Sequence, residues 1–206
     1  RNLGLRDIEI AVMSELPTSK MGYADVLWAI KGQGAKAQRV DLKTGEATTL
    51  PIGASKADTI KHGFATVSNF FPGTKVLASE LMEHIVKHSI GAADVTKAMV
   101  FDDQYISTGG QFFELINGHD RFNADLRPAF YHLQKQPEGL CCHPYDCATM
   151  LIAQEAGVIL TDGLGHPLDG PLDVTTGLSW AGFANADLRR SIEPILIQFL
   201  RERGMK

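Results

Sequence analysis

Cys141, Cys142, His143, Asp146 and Cys147 crowd the head of the stretch CCHPYDCATMLIAQEAGVILTD, residues 141 to 162. Thiols, an imidazole and a carboxylate are the groups that hold zinc. Structural zinc sites, however, bring two separated ligand pairs together, and adjacent cysteines do not readily face one tetrahedral ion. The three cysteines are therefore expected to be free thiols that pack as small apolar side chains. His84 and His88 stand one helical turn apart and could chelate a metal, but with no third ligand in evidence they read as the polar flank of a helix. Asp146 has two readings. The helix dipole and free amides favour a carboxylate in a first turn. A carboxylate at the mouth of a helix, beyond which the chain returns as a strand, equally presents a hard oxygen to Mg²⁺.

DDQYISTGGQ poses a similar choice. Two consecutive glycines early in a helix cost about 1 kcal/mol each relative to alanine. Either a neighbouring element packs closely on Gly109 and Gly110, or a ligand needs the backbone amides there, with Ser107 and Thr108 supplying hydroxyls to an anionic group. HPLDGPLD is set aside. It contains Pro-Leu-Asp-Gly, but His166 and Pro171 stand where an Asp-Pro-Ile-Asp-Gly-Thr metal motif needs aspartate and threonine, and Gly163 and Gly165 mark a turn-rich loop.

The elements that must position these residues follow from periodicity. IEIAVM and VLWAI read as strands, with apolar residues alternating at Ile8, Ile10 and Val12, and Thr44-Gly45 reads as a hairpin turn in an antiparallel ribbon. A helix from about Thr74 carries Leu77, Leu81 and Ile85 at four-residue spacing. KAMVF reads as a strand feeding a helix over QYISTGGQFFELING, which Gly118 ends, and DRFNADL reads as a short strand. Tyr145 to Ala156 reads as one helix with Pro144 in its first turn, Gly157 at its end and a buried stripe of Ala148, Leu151, Ile152 and Ala156. VILTD and WAGFAN are further strands. The chain closes on a helix from near Asn185 that buries Leu188, Ile192, Ile195, Leu196 and Phe199. Strands first, then strand and helix in alternation, imply a mixed α/β fold, with residues 1–206 as one globular unit.

The chain is 44% hydrophobic and 21% charged with a net charge of -4. That balance suits a globular protein and argues against a nucleic-acid polymer as partner, since no basic run occurs. No apolar run reaches the ~18 residues that span a bilayer. The odd cysteine count and the absence of a signal-peptide pattern point to a reducing, cytoplasmic setting with no membrane partner. The start at Arg1 rather than Met suggests a chain cut from something longer.

Four segments together resemble the inositol monophosphatase superfamily. PYDCATMLIAQEAGVILTD resembles its second signature, in which Trp-Asp-x-Ala-Ala-Gly opens a helix ending in Glu-Ala-Gly-Gly. VLWAIKGQGAKAQ resembles its strand and turn ending in Lys-Gly-x-Gly-Ala. STGGQFFELINGHDRFNADL is similar to its helix followed by Gly-x-Asp and a strand, and WAGFANADLRRSIEPIL to its closing strand and helix. The order matches the family's second half. Tyr145 replaces the usual tryptophan, Cys147-Ala148-Thr149 the small-residue run, and Val158 the second glycine. The upstream glutamates and the Asp-Pro-x-Asp-Gly-Thr motif are absent from this chain.

The resemblance implies part of a layered α/β sandwich of the inositol-monophosphatase and fructose-bisphosphatase type. It implies Mg²⁺-dependent hydrolysis of a small phosphomonoester, an inositol phosphate, sugar phosphate or phosphorylated nucleotide. Asp146 would hold one metal, Ser107, Thr108, Gly109 and Gly110 would face the substrate, and Glu138 would fall near a position that contacts substrate hydroxyls. The remaining metal ligands would lie upstream, leaving this chain alone inactive. A homodimer is the family's habit. Two rivals stand: a non-catalytic phospho-ligand-binding or subunit protein of the same fold, and a zinc-stabilised structural module.

Overall fold

Alternation along the first strands decides which face of the first sheet is covered. In β1 (Ile10–Ser14) Ala11 is buried, whereas Ile10 and Val12 are 64% and 62% exposed. In β2 (Tyr23–Ile30) Leu27 and Ala29 face inward beside Ala11, and in β3 (Ala35–Asp41) Ala37 does so opposite Leu27. With β4 (Ala47–Thr49) these strands form an antiparallel sheet in the order β1-β2-β3-β4, and the turn through Thr44 and Gly45 closes the expected hairpin. The computed structural model describes residues 3–92, 94 and 96–206; Arg1 lies outside them.

The second sheet has the order β5-β6-β8-β7, built from β5 (Phe64–Val67), β6 (Asp120–Asp125), β7 (Ile159–Thr161) and β8 (Trp180–Phe183). The β5 and β6 strands run parallel; the other pairs are antiparallel. Both faces are covered, which explains why all four residues of β8 are buried. On one face lie α2 (Thr108–Ile116) and α4 (Met150–Glu155), whose Phe112, Leu115, Met150 and Ile152 join Leu160 and Trp180 and the inner face of the first sheet in one core. On the other face lie α1 (Lys75–Ile90) and α5 (Ala186–Glu202), whose Leu81, Ile85, Leu188 and Leu196 pack with Phe122 and Phe183. The layers therefore run sheet, helices, sheet, helices, the mixed architecture expected. Among the described residues, no helix is long and apolar enough to cross a membrane.

Four local expectations are corrected. KAMVF forms no strand: Phe101 makes a single parallel bridge to Phe64. The segment from Tyr145 to Ala156 is not one helix. A 3-10 turn over Pro144–Cys147 is followed by α4, and Ala148 between them is exposed, so its buried face is Cys147, Met150, Leu151, Ile152 and Ala153. Helix α2 begins at Thr108 rather than Gln104, because the Ser107 hydroxyl caps it by accepting from Gly110 N. A short helix α3 (Arg127–Leu133) lies where no element was expected. Asn185 caps α5 as read, accepting from the amides of Asp187 and Leu188, and of its expected stripe only Ile195 is less than fully buried.

Candidate functional site

The N-terminal end of α2 and the segment from Cys141 to Thr149 lie against each other. Thr108 Oγ1 donates to Cys142 Sγ at 3.5 Å, and a Cβ on Gly109 would stand 3.9 Å from Thr149 Oγ1. The fold thus brings Ser107, Thr108, Gly109 and Gly110 beside the turn that carries Asp146. The Thr108 hydroxyl is directed inward to sulfur, so what this residue offers a ligand is its backbone amide, one of those a helix N-terminus leaves unpaired. Gly110 has a packing reason of its own: a Cβ there would lie 1.9 Å from the Tyr105 ring. Gly109 is looser, with Met13 Sδ at 3.7 Å from the corresponding position.

Asp146 Oδ2 accepts from His143 N at 2.9 Å and stands 3.8 Å from His143 Nδ1. One carboxylate oxygen therefore caps the 3-10 turn. Oδ1 has no hydrogen bond among the described residues, and the side chain is one-third exposed. One oxygen is thus engaged as a cap and the other has no partner among the described residues. Octahedral Mg²⁺ needs more oxygen donors than Asp146 alone brings to this position. Glu138 is exposed; it accepts from Cys141 Sγ at 3.7 Å, and its carboxylate occupies the space that a Cβ on Gly177 would need.

Beside the α2 end opens a cavity of about 410 Å³, lined by Met13, Leu27, Tyr105, Gly109, Gly110 and Phe113 among others. A larger groove of about 860 Å³ between α1 and α5 holds His84, Phe199 and Arg203 and none of the residues just described. His84 is held below its usual pKa by burial and then by His88, whose ring lies 4.2 Å away. The pair is a helix flank packed near Phe199.

The cysteines are free and buried. Cys142 and Cys147 touch through sulfur at 3.4 Å, and that contact, with burial, drives the Cys147 thiol far above its usual range. Burial and the neighbouring Glu138 push Cys141 up to about 12. Neutral thiols of this kind are weak metal ligands and weak nucleophiles.

An anchor that sequence reasoning missed is Asp125 with Arg127. The fully buried Asp125 receives Arg127 Nε and Nη2 together, and Arg127 Nη1 donates to Leu140 O at 3.0 Å. The same guanidinium lies 5.7 and 5.5 Å from the Phe70 and Phe71 ring centres. The pair ties the end of β6 to the residue before Cys141, and so helps to place the Asp146 turn. Two segments singled out by the resemblance also prove to be bonded partners: Glu155, of Glu-Ala-Gly, accepts Gly32 N at 2.8 Å and Gly34 N at 2.7 Å from the Lys-Gly-Gln-Gly turn. These donors hold its carboxyl below the usual range.

Among the described residues, the set with metal-ligand character is not at Asp146 but at the other end of α2, where Glu114, His119 and Asp120 converge. Burial raises both carboxyl pKa values. The set spans helix, turn and strand, which no short sequence pattern marks.

No protein-family model and no curated protein matches the chain. Among solved structures it is similar to Mycobacterium tuberculosis SuhB, with a TM-score of 0.53 and 16% identity over 85% of this chain and 55% of that one. The chain thus spans about half the length of that structure. At such identity the likeness is one of fold: this mixed α+β arrangement of two sheets and intervening helices is similar to that of SuhB, an inositol-monophosphatase-fold protein.

Proposed function

We propose that the chain is the C-terminal portion of a cytoplasmic, Mg²⁺-dependent phosphomonoester hydrolase, acting on an inositol phosphate, sugar phosphate or phosphorylated nucleotide, with further metal ligands supplied by residues outside this chain. The observation that carries the reading is the meeting of the capped α2 N-terminus with the Asp146 turn, within a fold similar to that of SuhB. A helix N-terminus directs amides and a partial positive charge at an anion, and Asp146 Oδ1 beside it is a free hard donor. The amides of Thr108 and Gly109 would orient the phosphoryl group. Glu138, exposed ahead of the Asp146 turn, would accept from substrate hydroxyls, and the cavity flanked by Tyr105 and Phe113 has room for a small leaving group. Bound Mg²⁺ would polarise the phosphoryl oxygens and lower the pKa of the attacking water. A homodimer is the assembly we infer.

The test is phosphate release from a panel of the three substrate types at millimolar Mg²⁺. The 206-residue chain alone should be inactive, and the same chain expressed with whatever residues precede Arg1 in its reading frame should be active. Inactivity of both forms, with saturable binding of a phosphorylated ligand, would instead establish the alternative of a non-catalytic phospho-ligand-binding or subunit protein.

A further inference from the structure

Glu114, near the end of α2, and His119 and Asp120, where β6 begins, meet at the end of the helix remote from Ser107. Glu114 Oε2 and Asp120 Oδ1 each lie 3.1 Å from His119 Nδ1, and the three atoms lie within 4.8 Å of one another. An imidazole nitrogen carries at most one proton, so Nδ1 cannot give both carboxylates a full hydrogen bond. Both acids stand at the negative end of the helix dipole, where anions are disfavoured. Asp103 adds a further negative charge within range of both. Asn123, with no exposed surface, gives Nδ2 to Asp120 Oδ2 at 2.8 Å and leaves its Oδ1 without a partner. Two carboxylates thus compete for the one proton that His119 Nδ1 can carry, with the charge of Asp103 added to theirs.

We propose that Glu114, His119 and Asp120 form a site for one divalent transition-metal ion of the Zn²⁺ class, which clamps the end of α2 to the start of β6. Such ions hold nitrogen and oxygen donors at about 2.0–2.2 Å, which sets neighbouring donors about 2.8–3.1 Å apart in octahedral array and about 3.3–3.6 Å apart in tetrahedral array. The two 3.1 Å separations match the octahedral edge. One imidazole with two carboxylates is a borderline donor set, better suited to zinc than to the all-oxygen preference of Mg²⁺. The imidazole is held in place: its ring stacks on Phe64 at 4.1 Å, and His119 N donates to Asn117 Oδ1. The turn before it is set by Gly118 at φ +80, where a Cβ would come within 2.9 Å of Gly53 O. His119 is exposed, which leaves an entry path. This site is independent of the phosphoester reading, since it needs neither Asp146 nor any residue outside the chain.

Calorimetric titration of the 206-residue chain with Zn²⁺ should show one site that 10 mM Mg²⁺ does not displace. Affinity should fall at least tenfold in His119→Gln and in Asp120→Asn, and hold in the double change Cys141→Ser and Cys142→Ser. To guard against variants that fold poorly, the unaltered chain can be followed by NMR, where Zn²⁺ should move the His119 imidazole signals ahead of those of His84, His88 and His143. Absence of saturable binding, loss of binding with the cysteines but not with His119, or earlier movement of another histidine would each overturn the proposal.

Discussion

The two ends of α2, a helix of nine residues, are electrostatic opposites. At the N-terminal end the helix presents amides and a Ser107 cap, its glycines admit close neighbours, and Asp146 beside it keeps one oxygen free. At the C-terminal end two carboxylates crowd one imidazole nitrogen against the helix dipole. One end is short of negative charge and the other has it in excess. The first suits an anion brought by a ligand; the second suits a cation. A helix buried between two sheets can do both because its apolar face, Phe112, Leu115 and Ile116, fixes its position independently of either end.

If the N-terminal end is organised from outside the helix, cutting its anchor should have the largest effect. Arg127→Ala leaves Asp125 buried without its partner, and uncompensated buried charges cost about 3–5 kcal/mol. Urea unfolding should report a loss of that size. Amide exchange should rise around Leu140 to Asp146 and stay low around Gly118 to Asp120. A loss below about 1 kcal/mol, the range of a surface pair, would mean that the pair does not hold the turn.

A smaller effect separates packing from ligand binding at the glycines. Gly110→Ala should destabilise, because its Cβ would enter the Tyr105 ring. In a Tyr105→Ala background the same change should become stabilising by up to about 1 kcal/mol, as alanine normally is over glycine in a helix. Destabilisation in both backgrounds would point to a backbone requirement instead.

The smallest effect is an acid-limb one, at the clamp between the first sheet and α4. Because the Glu155 pKa is lowered by its two amide donors, its contribution is complete above the unfolded value of about 4.3 and is lost as pH falls through the lower, folded value. Glu155→Gln should therefore be less stable than the parent chain near neutrality, and the gap should close on acidification. A gap that widens as pH falls would contradict the assignment.

What could be read from the chain beforehand was what local spacing encodes. The Asn185 cap and most of the apolar stripe of α5 were legible, as was the ribbon around Thr44-Gly45. Features set by tertiary partners were not. Helix α3 is anchored by Arg127 on Asp125 and by Ser179 Oγ, which accepts from Ala129 N across the fold. The break at Ala148 reflects Asp146 capping a tight turn rather than a full helix. The Glu114, His119 and Asp120 set joins positions five and one apart around a corner, a spacing with no helical or strand period.

The most direct measurement is Mg²⁺-dependent phosphate release by Asp146→Asn in the chain extended through its preceding residues, at limiting Mg²⁺. The substitution keeps shape and removes the charge on the free oxygen, while the first-turn carboxylate contributes only ~0.3–1 kcal/mol through the dipole. Turnover should fall at least a hundredfold, with an unfolding midpoint close to that of the parent. Near-normal turnover, or a protein that no longer folds, would show Asp146 to be a cap alone and would contradict its assignment as a metal ligand.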